Sequence, residues 1–332
     1  KRTLSQWVKF ANSLRLRLAI RVSMSAPDLA RAEVAKAMDA TAGGVLESAD
    51  ETVAVSTESG YKNPLGTVNE GWGEVFMGAT MESVLVGYND PRLIKYYSKA
   101  EGGDIKDEKG NLIIAERNKI AGTYKGVPQG TGVTVKDENR YRLHSKSTIT
   151  KQTDAILMTA AEVWFLRAEA ALRGFTSENV KDCYEKGITV SCQQWGVNVG
   201  DYLTSDATPS DYVDAFEAKY DVKALIKVTP KWDGGASPEE QLERILTQKW
   251  IACYPEGYEA WTEQRRTGYP QLFKVFVNNS GGAIDTNIRI RRLPYPSDIQ
   301  KNNPTQYSAL KKALGGEDNG GTRLWWDTGR NF

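Results

Sequence analysis

The stretch QKWIACYPEGYEAWTEQRRTGYP, residues 248–270, holds a high density of aromatic and charged side chains. These are Trp250, Tyr254, Tyr258, Trp261 and Tyr269 beside Glu256, Glu259, Glu263, Arg265 and Arg266. Such a mixture is found in catalytic clefts, in platforms that stack on sugar rings, and at corners between packed helices. The surrounding sequence has to decide among these three interpretations.

The stretch joins two predicted helices. Ser237-Pro238-Glu239-Glu240 is a capping box with proline at the first helical position, which predicts a helix start. Pro255-Glu256-Gly257 interrupts that helix, and a short helix is predicted from Tyr258 to Thr267, ended by Gly268 and Pro270. Helical spacing predicts an inner face of Tyr258, Trp261 and Arg265 and a solvated, ion-paired outer face of Glu259, Glu263 and Arg266.

Two further helix pairs are predicted towards the N-terminus. In the first helix, Trp7, Ala11, Leu14, Leu18 and Val22 share one face at helical spacing. A partner helix is predicted over residues 29–40, and a second pair over residues 159–174 and 179–196, restarting at Thr176 or Ser177. The second pair has about the length of a tetratricopeptide repeat. We therefore predict a mainly α fold of tetratricopeptide-like helix pairs.

Two long, loop-rich insertions separate the predicted pairs, at about residues 43–158 and 197–236 of a single domain over residues 1–332. The first holds one predicted helix, 79–86, and strand-like pieces around 110–115 and 131–149. Connections of this length are uncommon in compact domains and often carry function. The segments 290–303 and 314–327 are rich in Pro, Asn and Gly and are predicted to be irregular.

Composition argues against several classes of function. Lys and Arg number 43 against 42 Asp and Glu, a net charge of +1, without a basic run that could follow a phosphate backbone, so nucleic acid is not an expected partner. No stretch approaches the roughly 18 consecutive apolar residues of a membrane span. Cys183, Cys192 and Cys253 are interpreted as buried thiols. The chain opens on Lys1 without a signal-like region, so we expect that an upstream segment is missing.

Candidate catalytic and metal sites are weak. Any Ser-His-Asp triad would depend on the single histidine, His144, which we interpret as a packed or solvated imidazole. A glycosidase needs two suitably placed carboxylates, and Glu256, Glu259 and Glu263 fit an ion-paired face better. Residues 103–111, GDIKDEKGN, favour a turn between strands, with a calcium loop as the alternative. No cofactor is expected.

Aromatic residues are the remaining candidates for a binding site. The rings of Trp and Tyr stack on the C–H faces of pyranoses, and neighbouring Asn, Asp or Arg side chains satisfy the hydroxyl groups. Trp7, Trp164, Trp250 and Trp261 lie on predicted inner faces and are assigned to the core. The aromatic residues on or beside the insertions are Tyr61, Trp72, Tyr96, Tyr97, Tyr124 and Trp232.

Four separated motifs occur in order along nearly the whole chain. They are WVKFANSLRLRLAIRVS, YNDPRLIKYY, EVWFLRAEAALRG with GITVSCQQWGV, and QKWIACYPEGYEAWTEQRRTGYP with RRLPYP and TRLWWD. Together they resemble the SusD/RagB family of nutrient-binding lipoproteins. The resemblance implies a largely helical fold of tetratricopeptide-like pairs, an upstream signal and lipid-modified cysteine, and a position on the outer face of the outer membrane. It implies a protein that captures glycans or peptides without catalysis and delivers them to a TonB-dependent transporter similar to SusC.

The resemblance also implies which segments are structural and which bind the ligand. The sequences EAW and RRTGYP recur among relatives with different ligands, so residues 248–270 are expected to form a structural corner, with Trp261 in the core and Arg265 holding carbonyls or a carboxylate. Ligand specificity is expected in the insertions, on a platform of Trp72, Tyr61 and Asn63, with Tyr124 or Trp232 as further contributors. Glycan binding is the leading function. The alternatives are oligopeptide uptake, a glycoside hydrolase and a helical scaffold.

Overall fold

The computed structural model describes residues 3–58, 60–132 and 139–332. The chain begins with a helix pair, α1 (Leu4–Arg21) and α2 (Pro27–Ala37). Thr3 and Gln6 form a capping box at the start of α1, and Pro27 occupies the first position of α2. The two helices pack against each other as the sequence predicts.

The face that α1 turns to the core differs from the predicted one. Trp7 and Leu18, expected to be inside, are 55% and 56% exposed. The buried side chains of α1 are Asn12, Ser13, Leu16, Ala19 and Ile20. The amide of Asn12 donates to the carbonyls of Ala42 and Gly44, 2.8 and 3.0 Å away. Apolar periodicity selected the wrong face because two of the buried positions are polar.

The first insertion is an ordered layer built from short elements. Strand β1 at its start pairs antiparallel with β4 at its end, so both ends of the insertion are joined to one another. A second antiparallel pair, β2 and β3, forms a hairpin. The elements are β1 (Val53–Val55), α3 (Pro64–Trp72), α4 (Ala79–Gly87), α5 (Leu93–Tyr96), β2 (Ile105–Lys106), β3 (Leu112–Ile114) and β4 (Ala155–Met158).

These elements confirm the predicted helix at 79–86 and the strand around 110–115. The predicted strand pieces at 131–149 are wrong for residues 139–149, where Lys146 and Ser147 form only isolated bridges. The segment 133–138 of the same prediction lies outside the described residues. Ala100, Ile105 and Tyr141 pack with Ala215 and Phe216 in a small core of their own. The two insertions are therefore packed against each other.

The central helices carry the main core. Helix α6 (Ala160–Leu172) packs against α1, α7 (Val180–Gln194) and α8 (Pro238–Ala252), and α9 (Gly257–Thr267) follows the corner after α8. Thr159 and Asn179 cap α6 and α7, so α7 starts later than the predicted Thr176 or Ser177. The predicted capping box of Ser237 and Glu240 is present.

A close contact fixes α6 against α7. A Cβ atom added at Gly187 of α7 would lie 2.8 Å from ring atoms of Phe165 in α6. Glycine therefore allows the buried ring of Phe165 to pack directly on the backbone of α7. The same core encloses the free thiols Cys183 and Cys192, while Cys253 is a third buried free thiol, as predicted.

The C-terminal region is more regular than predicted. It contains α10 (Ser297–Asn302), inside a segment predicted to be irregular, and α11 (Pro304–Leu314). The side chain of Asn303 accepts a hydrogen bond from the backbone N–H of Gln306, and Gly315 ends α11 in the left-handed conformation. Asn, Pro and Gly are thus helix boundaries here rather than signs of irregular structure. Among the described helices, none combines the length and apolar character required to cross a membrane.

Candidate functional site

Helix α3 presents the candidate binding surface. Asn63 caps the helix through its side-chain oxygen, which accepts from the backbone N–H of Leu65 at 3.0 Å, and Pro64 occupies the first helical position. The Asn63 amide also donates to the carbonyl of Thr153 at 3.0 Å. With both ends of its amide engaged and only 4% of its surface exposed, Asn63 positions α3 and does not face a ligand.

Helix α3 is clamped along its length to residues 147–153. Asn69 donates from one amide nitrogen to the carbonyls of Ser147 and Ile149, 2.7 and 2.8 Å away. Glu70 accepts from the backbone N–H of Lys151 at 2.9 Å. Gly66 completes the clamp because a side chain there would overlap the backbone of Thr150. The helix is held as a rigid support.

Trp72 lies at the end of this support and is 64% exposed. Its neighbours Gly71 and Gly73 carry no side chains, and a Cβ atom added at either would meet nothing within 4 Å. Trp72 is therefore largely exposed on a fixed backbone, with no side chain on either neighbouring residue. Tyr61, just before α3, is 38% exposed. We call these two exposed rings, Tyr61 before the start of α3 and Trp72 at its last position, the aromatic edge of α3. An exposed aromatic ring is suited to stacking on a flat apolar ligand face.

We expect Gly66→Ala to lower the free energy of unfolding by about 1–3 kcal/mol, because the added methyl group meets backbone atoms that cannot move aside without breaking the clamp. Urea unfolding measures this loss. Gly71→Ala is the matched control, since the same methyl group has open space and a helical position there. Equal stability of the two variants would contradict the clamp.

The other predicted contributors lie elsewhere. Trp232 is half-buried on the main core, with its ring 5.1 Å from that of Tyr184. Tyr124 is also half-buried on that core and borders a cavity of about 840 Å³ together with Leu93 and Ile94. Within the described part of the chain, no ring contact joins either residue to Trp72. The structure therefore leaves Trp72 and Tyr61 as the exposed part of the predicted platform.

The corner formed by residues 248–270 is confirmed, and Arg265 is buried as predicted, but the outer face of α9 was predicted wrongly. Glu259, Glu263 and Arg266, predicted to be solvated, are 5%, 5% and 2% exposed, whereas Tyr258 is 75% exposed. The buried side chains belong to an ion network that joins α1, α6, α8 and α9. This buried ion network consists of Arg17, Arg21, Glu162, Glu169, Arg173, Lys249, Glu259, Glu263 and Arg266.

Charge pairing keeps the carboxylates of Glu259 and Glu263 ionised. Burial raises the pKa of Glu263, but Arg266, Lys249 and Arg21 outweigh this effect and hold the pKa well below its usual range. Glu259 behaves in the same way, with Lys249 and Arg21 opposing the effect of burial on its pKa. A glycosidase requires one carboxyl group that stays protonated to act as a general acid. Glu259 and Glu263 do not meet this requirement. Burial raises the pKa of Glu256, the third glutamate considered, but its carboxylate caps α9 by accepting from the backbone N–H of Glu259 at 2.8 Å.

His144 is packed, as predicted, and is 2% exposed. Its ring lies 5.1 Å from that of Tyr141, edge to face, and neither ring nitrogen has a hydrogen-bond partner among the described residues. Burial, with a smaller effect of Lys125, lowers the pKa of His144 to about 3. A buried imidazole without a hydroxyl or carboxylate partner does not form a catalytic triad.

The segment considered for calcium is a turn between β2 and β3. Oδ1 of Asp107 accepts from the backbone N–H groups of Lys109 and Asn111, and Oδ2 accepts from the amide of Asn111 at 2.9 Å. These bonds lower the pKa of Asp107. In residues 3–58, 60–132 and 139–332, no group of three or more His, Cys, Asp and Glu side chains is arranged to hold a metal ion.

The comparisons with known proteins agree with the order of the motifs. The family model for SusD-like proteins, described as "Susd and RagB outer membrane lipoprotein", matches residues 1–327. The chain belongs to the SusD-like family. A comparison with curated proteins finds no match.

Solved SusD-like structures share the fold. A SusD homologue from Bacteroides vulgatus is 52% identical, with a TM-score of 0.90 over 99% of this chain and 64% of that one. A chitin-binding SusD homologue from Flavobacterium johnsoniae is 38% identical, with a TM-score of 0.85 over 98% of this chain and 64% of that one. A homologue from Bacteroides thetaiotaomicron is 33% identical, with a TM-score of 0.85 and coverage of 99% and 67%. The chain thus spans about two thirds of the length of these SusD-like relatives, and the SusD-like fold predicted from sequence is confirmed.

One feature was missed by the sequence reasoning. Trp250 and Trp261, assigned to the core, are only partly buried and border a cavity closed on its other side by residues from the segment 272–290. Arg265 holds the carbonyl of Arg291, as expected for this corner. Only the Asn-Asn-Ser-Gly-Gly run at 278–282 signals a loop next to the corner.

Proposed function

We propose that this protein binds glycans at the cell surface without chemical change and delivers them to a partner TonB-dependent transporter similar to SusC. The single observation that carries glycan binding is Trp72, exposed on the clamped helix α3 between two glycines. Support comes from the SusD-like family and from its chitin-binding relative in Flavobacterium johnsoniae. Surface anchoring through an upstream lipid is supported by the description of the family as outer-membrane lipoproteins. Delivery to the transporter is proposed from the resemblance to the SusD/RagB family alone.

The proposal includes neither catalysis nor a cofactor. Of the three glutamates considered for catalysis, Glu259 and Glu263 are paired with cations of the buried ion network, and Glu256 caps α9. The carboxylate best placed for calcium, that of Asp107, is occupied by N–H donors. Binding by stacking and hydrogen bonds requires no ionisable group at a special pKa, which fits the exposed aromatic edge of α3.

The test is affinity electrophoresis of the protein, of Trp72→Ala and of Trp325→Ala through gels that contain plant, host or microbial polysaccharides, including a soluble chitin derivative. Trp325 is 68% exposed and lies far along the chain from α3, so it controls for the loss of an exposed indole. We expect one glycan to retard the protein and Trp325→Ala alike. Trp72→Ala should bind that glycan about 10-fold or more weakly, since a tryptophan anchor contributes about 2 kcal/mol or more.

Two results would count against the proposal. Equal retardation of Trp72→Ala and the unaltered protein would show that the aromatic edge of α3 is not the site. No retardation by any glycan, together with heat released on mixing with a peptide pool in calorimetry, would identify an oligopeptide-uptake protein instead.

A further inference from the structure

A second candidate site lies beside the α8–α9 corner. A cavity of about 610 Å³, within the range of small-molecule sites, opens between the helices and an irregular wall. Trp250 of α8 and Ala260, Trp261 and Gln264 of α9 form the helical wall. The residues that line this cavity include none from α3, so it is separate from the aromatic edge. We call it the corner cavity.

The indole of Trp261 is fixed in position at the wall. The guanidinium of Arg265 lies 3.6 Å from the centre of the ring, and Nε1 of Trp261 donates to the carbonyl of Ile290 at 3.1 Å. Arg265 does not line the corner cavity, whereas Trp261 does. The ring of Trp261 is therefore fixed by a cation–π contact with Arg265, and it also borders the cavity.

The irregular wall is also fixed. The amide of Asn278 donates to the carbonyl of Ile284 at 2.8 Å and to Oγ1 of Thr286 at 2.9 Å. Arg289 donates to Oε1 of Gln129 at 2.8 Å and to the carbonyl of Phe273. These bonds fix the conformation of the irregular wall beside the cavity.

Arg289 adds a sign of strain at this wall. Its φ angle is 64°, in the left-handed region that residues with a side chain seldom occupy. Such conformations are unfavourable and persist where the surrounding structure enforces them, often at ligand-binding sites. The bonds of Arg289 to Gln129 and Phe273 supply that enforcement.

Unused polar groups face the same space. The side-chain amides of Gln264 and Asn279 line the corner cavity and make no hydrogen bond to any residue that the structure describes. Asp285 lines it as well, and its Oδ1 accepts from the backbone N–H of Asn287. Planar amide and carboxylate groups beside indoles are the chemistry that binds a sugar ring, since one surface takes the C–H face and the other the hydroxyl groups.

We propose that the corner cavity is a second carbohydrate-binding site, in which a pyranose packs against Trp261 and Trp250 and bonds through its hydroxyls to Gln264 and Asn279. This goes beyond binding at the aromatic edge of α3. Capture of an extended peptide by strand addition does not fit this cavity, because the described strands lie outside it.

The test is calorimetry with chitotetraose, cellotetraose and xylotetraose. It compares three proteins: Trp72→Ala, the double variant Trp72→Ala with Ala260→Leu, and the double variant Trp72→Ala with Gln264→Leu. Leucine at 260 suits a helix and fills the cavity beside Trp261, while leucine at 264 removes the amide and leaves an apolar side chain that is one atom shorter. We expect at least one tetrasaccharide to bind Trp72→Ala, and each added change to weaken that binding about 10-fold or more. Ala260→Leu in the unaltered background should keep the polysaccharide retardation that depends on Trp72, which shows that it folds.

Three results would overturn this assignment. If no tetrasaccharide binds Trp72→Ala, the corner cavity is not a sugar site. If the unaltered protein does bind a tetrasaccharide in that case, the proposed site at α3 is unaffected. Binding to Trp72→Ala that both leucine variants leave unchanged would place the sugar elsewhere. Binding of a peptide pool that Ala260→Leu abolishes, without binding of any tetrasaccharide, would make the corner cavity a peptide site.

Discussion

Arg266→Met is expected to lower the free energy of unfolding by about 3–5 kcal/mol, because it removes one member of a buried, charged set and leaves the others without compensation. The guanidinium is 2% exposed and bonds both oxygens of Glu169, at 2.8 and 2.7 Å, and both oxygens of Glu263, at 3.2 and 2.6 Å. Methionine replaces the volume of the side-chain stem but none of these bonds. Urea or thermal unfolding measures the loss.

Two further variants distinguish the contribution of the charge of Arg266 to stability from that of its hydrogen-bond geometry. Arg266→Lys keeps the charge but not the planar fork that bonds two carboxylates, so we expect an intermediate loss. Glu169→Gln combined with Arg266→Met should cost less than the sum of the single changes, by about 0.5–3 kcal/mol, because Glu169 is then no longer charged. The control is Lys181→Met, which breaks an exposed pair with Glu185 and should change stability little. A loss for Arg266→Met as small as that of Lys181→Met would show that the buried ion network makes no net contribution.

The buried ion network marks where sequence reasoning failed and why. The start of α8 was predicted correctly because a capping box is a local signal, carried by Ser237 and Glu240. The buried face of α9 was not, because its charges are neutralised from other helices. Glu259 meets Arg21, 238 residues earlier, and Arg266 meets Glu169, 97 residues earlier. Only the tertiary structure shows such pairs.

In the candidate site, too, features set by the local sequence were predicted better than features that depend on distant residues. Trp72 was singled out because an aromatic residue in a long, Gly-rich insertion has few local partners, and it is exposed. Asn63 was assigned to the ligand, although Asn followed by Pro is a local signal for a helix cap, which is its role at α3. The corner cavity was beyond prediction because its wall depends on bonds from Arg289 to Gln129, 160 residues away.

Acid is expected to destabilise the protein through His144. Burial, and then Lys125, lowers the pKa of this imidazole to about 3 in the folded state, against about 6.5 in an unfolded chain. Above pH 6.5 the ring is neutral in both states and has no effect on the pH dependence. Between pH 6.5 and 3 only the unfolded chain takes up the proton, so each unit of acidification costs about 1.4 kcal/mol, up to about 5 kcal/mol in total. Below pH 3 the loss is complete.

His144→Phe isolates this effect, because phenylalanine keeps a ring against Tyr141 and Phe216 but cannot take up a proton. Glu82 and Asp214, whose pKa values are raised by burial, titrate in both proteins and cancel in the comparison. Urea unfolding at intervals from pH 7 to pH 4 should give a flatter curve for the variant. At pH 7 the variant should be at least as stable, since it removes two buried nitrogens that lack hydrogen-bond partners among the described residues. Parallel curves would mean that His144 accepts a proton as readily in the folded protein as in the unfolded chain, through water that reaches its ring.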